Sequence, residues 1–224
     1  MTLSSYEWPG DDEPKPAPGP LLRVQALVNT VELPDGADRL RSPADARPWL
    51  VAEGLLAPSD DVTDEDLGLV RAVREALREM LVHNAGGRAP SVDALRTLRT
   101  LGADGSVRVD VDDHGAVLVQ PVGSSLTAGL VGLLLTVGDA QRDGSWARLK
   151  ACANDECHWA FYDRSRNHGG SWCEMSTCGN KLKNRDFRAR RRADGTSARR
   201  RGDGTGRATS TGATPGRRPA RPAR

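Results

Sequence analysis

With 224 residues, 38% of them apolar and 28% charged, the chain supports one medium core and a small one with tails, not a core along its whole length. The formal net charge of +2 hides a division: residues 1–146 carry 13 basic and 23 acidic groups, residues 147–180 carry 4 and 4, and residues 181–224 carry 15 and 3. An acidic front on a strongly basic end predicts two jobs, the basic end seeking a polyanion such as nucleic acid, and the lack of any run of about 18 apolar residues argues against a membrane span.

Residues 1–20 hold five prolines and the acidic cluster Asp11-Asp12-Glu13, the composition of a disordered arm. An export signal would need basic and then apolar residues there, so a cytoplasmic, nucleoid-associated protein is expected. In residues 21–31, Leu21, Val24, Leu27, Val28 and Val31 share one helical face, and Pro34 and Gly36 break the helix. Ser42-Pro43 reads as a cap with a first-turn proline, followed by Trp49, Leu50 and Leu55 at near-helical spacing, with Pro48 interrupting. Thr63 to Asp66 opens the clearest helix, with a capping-box acid and three acids in the first turn. Its stripe is Leu67, Val70, Val73, Leu77, Met80 and Leu81, and Gly86-Gly87 ends it.

Ser91 starts another helix, with Val92, Leu95, Leu98 and Leu101 inward. From Ser106 the period changes to two: Val107, Val109 and Val111, then a turn at 112–115, then Val117-Leu118-Val119. That is a β-hairpin. Residues 124–141 read as a buried helix closed by Asp143-Gly144-Ser145. The expected fold class is α+β: a mainly helical domain over 21–146 with a small hairpin, then a small four-cysteine zinc-finger domain over 147–192 ending in a basic helix, then a disordered basic tail, 193–224.

All four cysteines fall in one window: Cys152-x4-Cys157, fifteen residues, then Cys173-x4-Cys178. Two pairs separated by a short loop are the sequence form of a structural zinc site, and four thiolates leave no open position for catalysis. Two disulfides are the competing reading, which a reducing compartment disfavours. His158 and His168 could each replace a cysteine as ligand, but the symmetric cysteine spacing favours the four thiolates and leaves both histidines as loop residues. Trp159, Phe161, Tyr162 and Trp172 surround the site, as packing for a module with little core of its own, with base stacking as the alternative. Arg164 and Arg166 in the loop are candidates for phosphate contact.

After Cys178 no helix breaker occurs from Asn180 to Arg192. Lys181, Lys183, Arg185, Arg188, Arg190, Arg191 and Arg192 face a single acid, Asp186, and Lys181, Arg185, Arg188 and Arg192 share one helical face. A cationic helix anchored at its start by a zinc ligand is suited to entering or crossing a groove. The tail adds affinity and on-rate without reading sequence.

The window Cys152 to Arg192 resembles the CGNR zinc finger of bacterial regulators, through Cys152, Cys157, Ser165-Arg166-Asn167, Trp172-Cys173, Met175, Thr177-Cys178-Gly179-Asn180 and the basic run. Lys181 stands where the family name has arginine, which keeps the charge and loses the forked hydrogen bonding. The front is similar to the ABATE domain of the putative stress-induced transcription regulator family, through residues 27–31, Ser42-Pro43-Ala44-Asp45, Trp49-Leu50 and Gly54-Leu55. That resemblance implies a sensor of a small-molecule effector, and Asn29, Arg39 and Arg41 are the polar candidates, each also readable as a cap or surface residue.

The functional expectation is a non-enzymatic, DNA-binding transcription regulator that holds Zn2+ on Cys152, Cys157, Cys173 and Cys178 and grips double-stranded DNA through the basic helix. Its front domain senses a ligand or forms a homodimer. An RNA-binding or protein-interaction zinc module is the alternative. A zinc-stabilised nuclease is a third, weakened because the helix 180–192 has no histidine to serve as a metal ligand.

Overall fold

The structure is a computed structural model and describes Trp8 and residues 11–179. The expected basic helix over 180–192 and the tail over 193–224 lie outside the described residues, as does most of the first ten.

Five helices form the body. α1, Leu21–Val28, buries Leu21, Val24, Leu27 and Val28 as the spacing predicts, and Gln25 with them. It stops before the expected 31, because Val31 pairs in an isolated bridge with Asp38. α2, Pro43–Ala52, is capped by Ser42, whose hydroxyl accepts from Asp45 N–H, and it runs through Pro48. α3, Asp64–Asn84, carries the full capping box between Thr63 and Asp66. Its predicted stripe is buried apart from Met80, which is half-buried; Arg74 and Arg78 are buried beside it, which the period does not foretell. α4, Val92–Asp104, is capped by Ser91 and turns Leu101 inward. Val92, expected inward, is 69% exposed. α5, Leu126–Asp143, ends at Gly144 with φ of 81°, a left-handed C-cap that suits glycine.

Two antiparallel pairs complete the fold. β1, Val107–Val111, pairs with β2, Val117–Pro121, as predicted. A 3-10 turn, Trp146–Arg148, leads into β3, Leu149–Ala151, which pairs with β4, Ala160–Tyr162. This second ladder was not foreseen. Gly129 lets α5 pass close to the chain at Leu55: a Cβ there would lie 2.3 Å from the Leu55 carbonyl oxygen.

One hydrophobic cluster runs from Ala17 to Tyr162, and it includes Trp146, Leu149, Ala151, Ala160 and Tyr162. The core therefore continues across the boundary drawn at 146 from sequence. The disordered arm is also revised for the described residues. Trp8 and Ala17 are buried, and Tyr162 N–H donates to the Lys15 carbonyl at 2.9 Å, so the proline-rich segment lies against β4. Its own composition is poor in apolar groups; backbone donors on β4 and the Gln25 amide, 2.6 Å from Ala17 N–H, hold it instead. Among the described residues, no helix is long and apolar enough to cross a membrane.

Candidate metal centre

Cys152 follows β3 directly. Its N–H donates to the Trp159 carbonyl at 2.9 Å, carrying the β3–β4 ladder one step beyond Ala151 and Ala160. Between Cys152 and Cys157 the chain folds onto Asn154, whose carbonyl accepts from Cys157 N–H at 2.8 Å and His158 N–H at 3.1 Å. His158 closes this first knuckle in the left-handed region, with φ of 46°. The Asn154 side chain is buried; it accepts from Glu156 N–H and donates to Cys178 Sγ at 3.6 Å, which orients that sulfur. Cys173 precedes a π-type turn, Met175–Gly179, and Cys178 lies inside it. Ala153 N–H reaches the Ser171 carbonyl at 2.9 Å and joins the two knuckles.

The four sulfurs lie within 4.8 Å of one another, with Cys157 to Cys173 at 3.7 Å and Cys173 to Cys178 at 3.8 Å. A tetrahedron with metal–sulfur bonds of about 2.3 Å has edges of about 3.8 Å, so the donor set fits one zinc ion. The four cysteines are free, which sets aside the two-disulfide reading. Hydrogen bonds from Cys157 and then Cys173 hold the Cys152 thiol down at about 2. Sharing with Cys152 pushes Cys157 up to about 12 and Cys173 up as well. A sulfur cluster of this kind gives up protons to a dication, and bound zinc would cross-link both knuckles with no position left for water or substrate.

The CGNR zinc finger family matches residues 148–191, and the family described as putative stress-induced transcription regulator, ABATE, matches residues 23–153, well over half of the chain. The chain belongs to the ABATE family. Its CGNR finger follows the ABATE domain, and the two matches share 148–153, where β3 serves both the ABATE core and the first knuckle. No curated protein matches the chain.

The ABATE domain grips the CGNR finger through buried polar groups. Asn29, at the end of α1, accepts from Ala160 N–H at 2.7 Å and donates to the Ala160 carbonyl at 2.9 Å. Arg78 on α3 donates to the Val28 carbonyl at 2.7 Å and to the His158 carbonyl at 3.1 Å. Asn84 donates to the carbonyls of Trp146 and Leu149. From the arm, Glu13 accepts from Trp159 Nε1 at 2.8 Å, and Lys15 Nζ donates to the Trp172 carbonyl at 2.6 Å beside the third cysteine. Burial pushes the Glu13 carboxyl up from its ordinary value, against the pull of the Trp159, Lys15 and Asn29 donors.

Inside the finger, Lys150 and Asp163 form a buried ion pair at 2.8 Å. Lys150 Nζ also donates to the His168 carbonyl, and Asp163 accepts from Ser165 and Gly170 N–H, so this pair shapes the loop between the knuckles. Burial pushes Asp163 up, yet the Lys150 ammonium and the Ser165 and Gly170 donors outweigh it and hold the carboxyl well below the usual range. A Cβ on Gly170 would lie 2.7 Å from the pinned Asp163 carboxylate.

Of the residues singled out from sequence, the four cysteines come together as expected. His158 and His168 are loop residues, the latter accepting from Arg148 through Nε2 at 2.9 Å. Phe161 and Tyr162 are core, and Lys15 Nζ sits 4.9 Å from the Phe161 ring centre. Arg164 and Arg166 are exposed, and Arg164 donates to the Pro16 carbonyl. Lys181, Lys183, Arg185, Arg188, Arg190, Arg191 and Arg192 lie outside the described residues. Asn29 is bonded to the finger at Ala160, Arg39 pairs with Asp11 and stacks over Trp8, and Arg41 is exposed beside Asp45. Sequence reasoning missed Asn154, Lys150, Asp163 and Arg78. The one available signal is a charged residue inside each apolar run: Lys150 in Leu149–Ala151 and Asp163 directly after Ala160–Tyr162.

Proposed function

We propose that this ABATE-family chain is a DNA-binding transcription regulator whose zinc centre fixes the start of an arginine-rich DNA-contacting segment. The observation that carries the reading is the placement of Cys178. It closes a four-sulfur site, and three residues later begins a run of seven cations against one acid, Lys181 to Arg192. Phosphate contacts from such a run supply affinity and positioning, and arginine forks can add base reading in a groove. The four-sulfur donor set supports a structural metal and a protein that is not an enzyme. The cytoplasm, at the nucleoid, is its place under this reading.

Effector sensing is the family's implied role for the front domain. A groove of about 800 Å³ runs between the arm and α1 with Asp11, Glu13, Arg23 and Glu53 on its walls, and is where an effector search starts.

The test is fluorescence anisotropy of the full zinc-loaded chain on duplex DNA across a salt series, with structured RNA as competitor. The expected result is DNA binding that weakens steeply with salt and is lost when all four cysteines become serine. Full affinity in that serine variant, or stronger competition by RNA than by DNA, overturns the reading.

A further inference from the structure

The hairpin β1–β2 takes no part in the metal centre, and its surface is unlike that of the helices. Every residue of β1 is exposed, as are four of the five in β2. Val107, Val109 and Val111 stand opposite Pro121, Val119 and Val117, so one face is apolar from end to end, with Val109 65% and Val117 67% exposed. A contiguous apolar patch of this kind marks an interaction surface, and two strands alone make a marginal sheet in water.

The backbone shows which edge is available. Val122 N–H donates to the Ser106 carbonyl at 2.8 Å, and Asp112 N–H to the Ala116 carbonyl at 3.0 Å. Bonding alternates along an antiparallel ladder, so 106, 108, 110 and 112 bond inward to β2, and Val107, Val109 and Val111 turn their N–H and C=O groups outward. Among the described residues no strand pairs with that edge. It also lacks the proline or lysine that commonly guards an edge strand.

We propose that β1 pairs antiparallel with β1 of a second copy of this chain, about a two-fold axis through Val109. The sequence Val-Arg-Val-Asp-Val is self-complementary about its centre. Val109 meets Val109 of the second copy, Val107 meets Val111, and on the other face Arg108 meets Asp110. These are the residues whose backbone groups face outward, so the hydrogen bonds and the side chains agree on one register. A shift of the axis by half a residue presents the wrong backbone groups, and a shift by one sets Asp110 opposite Asp110 or Arg108 opposite Arg108. A shift by two sets Asp110 opposite Asp104 or Asp112, like against like.

Within one chain these charges have only weak partners. Asp110 accepts from Val111 N–H at 2.9 Å and stands 3.8 Å from Arg108, and both side chains are more than half exposed. Pairing turns Val111 N–H to the second copy's Val107 carbonyl and gives each aspartate an arginine. The product is a four-stranded sheet, β2-β1-β1-β2, with a doubled apolar face. It needs neither metal nor nucleic acid, so it stands or falls apart from DNA binding.

Sedimentation equilibrium of the full zinc-loaded chain without DNA tests this. The wild type is expected at the mass of two chains. Arg108→Asp alone and Asp110→Arg alone each set like charges face to face twice, and each is expected to raise the dimer dissociation constant by roughly tenfold or more. Mixed in equal amounts, the two variants are complementary and are expected to restore a one-to-one dimer. Val109→Pro removes only outward-facing N–H groups, so it is expected to sediment as a monomer with an unchanged circular dichroism spectrum. A monomeric wild type, variants that keep the wild-type dimer, or a mixture that fails to pair would each overturn the proposal.

Discussion

Replacing Asn29 with aspartate exchanges one amide nitrogen for oxygen at the junction between α1 and the finger. Two hydrogen bonds vanish, to the Ala160 carbonyl at 2.9 Å and to Glu13 Oε2 at 3.2 Å. Ala160 N–H keeps its acceptor, and the Ala160 carbonyl keeps Gln25 Nε2 at 3.1 Å. What the change adds is a second carboxylate about as close to Glu13 as the lost amide, where burial already pushes Glu13 up. Two like charges about 3 Å apart repel by about 5 kcal/mol at an effective dielectric of 20, and proton uptake limits that. The expected loss is about 3–5 kcal/mol at pH 8. Asn29→Ala leaves the buried Ala160 N–H unpaired and costs about 2 kcal/mol.

The two variants differ in their response to acid. In the aspartate variant the carboxyl pair has folded-state proton affinities above the unfolded ones. Its folded form therefore gains relative stability as pH falls, and the deficit shrinks toward that of the alanine variant by about pH 5. Urea unfolding of zinc-loaded protein at both pH values, with zinc transfer to a chromogenic chelator alongside, reads both effects. An aspartate deficit that is the same at pH 8 and pH 5, or zinc transfer at the wild-type rate, refutes the idea that α1 holds the finger through this amide.

Lys150→Met leaves Asp163 buried without its cation and is expected to cost about 3–5 kcal/mol in thermal or urea unfolding, much of it recovered when Asp163 is also made apolar. Gly129→Ala drives a methyl into the Leu55 backbone and is expected to destabilise by about 1–3 kcal/mol, while Gly68→Ala, at an exposed position of α3, meets nothing within 4 Å and is expected to gain up to about 1 kcal/mol. Because Asp163 is held below the usual carboxylate range, its contribution is complete above that range and disappears as pH falls through the lowered value; in Lys150→Met this acid-side loss is expected to flatten in a stability-against-pH series.

The local signals in the sequence were strong where one segment decides its own structure. Ser42, Thr63, Ser91 and Ser125 each cap a helix by side-chain acceptance, and the first three were legible from residue type and spacing alone. The alternating valines gave the hairpin, and the cysteine spacing gave the metal centre. What was not legible depends on distant partners. Lys150 and Asp163 are thirteen positions apart, Asn29 and Ala160 far more, and neither pairing leaves a period in the chain. The arm failed for the same reason: its composition says disorder, but its acceptors are used by β4 and its Glu13 by Trp159. Composition reports what a segment can bury by itself, not what a neighbour offers it.

A domain boundary at 146 implies that a fragment from Ala147 onward folds alone around its metal, and the packing argues otherwise. Leu149, Ala160, Phe161 and Tyr162 are buried, and all but Phe161 belong to the cluster that also holds α1, α3 and α5 residues. Removing the front uncovers several large side chains at roughly 1.5–3 kcal/mol each, more than a module of two knuckles recovers from its own contacts. It also strips the donors on Asn29, Arg78 and Asn84 from the carbonyls of Ala160, His158 and Leu149. The fragment is expected to bind zinc through its four sulfurs, release it to a chelator much faster than the full chain, and melt without a cooperative transition. Sharp two-state melting of the fragment, with the full chain's resistance to chelation, would show that the finger needs nothing from the helices in front of it.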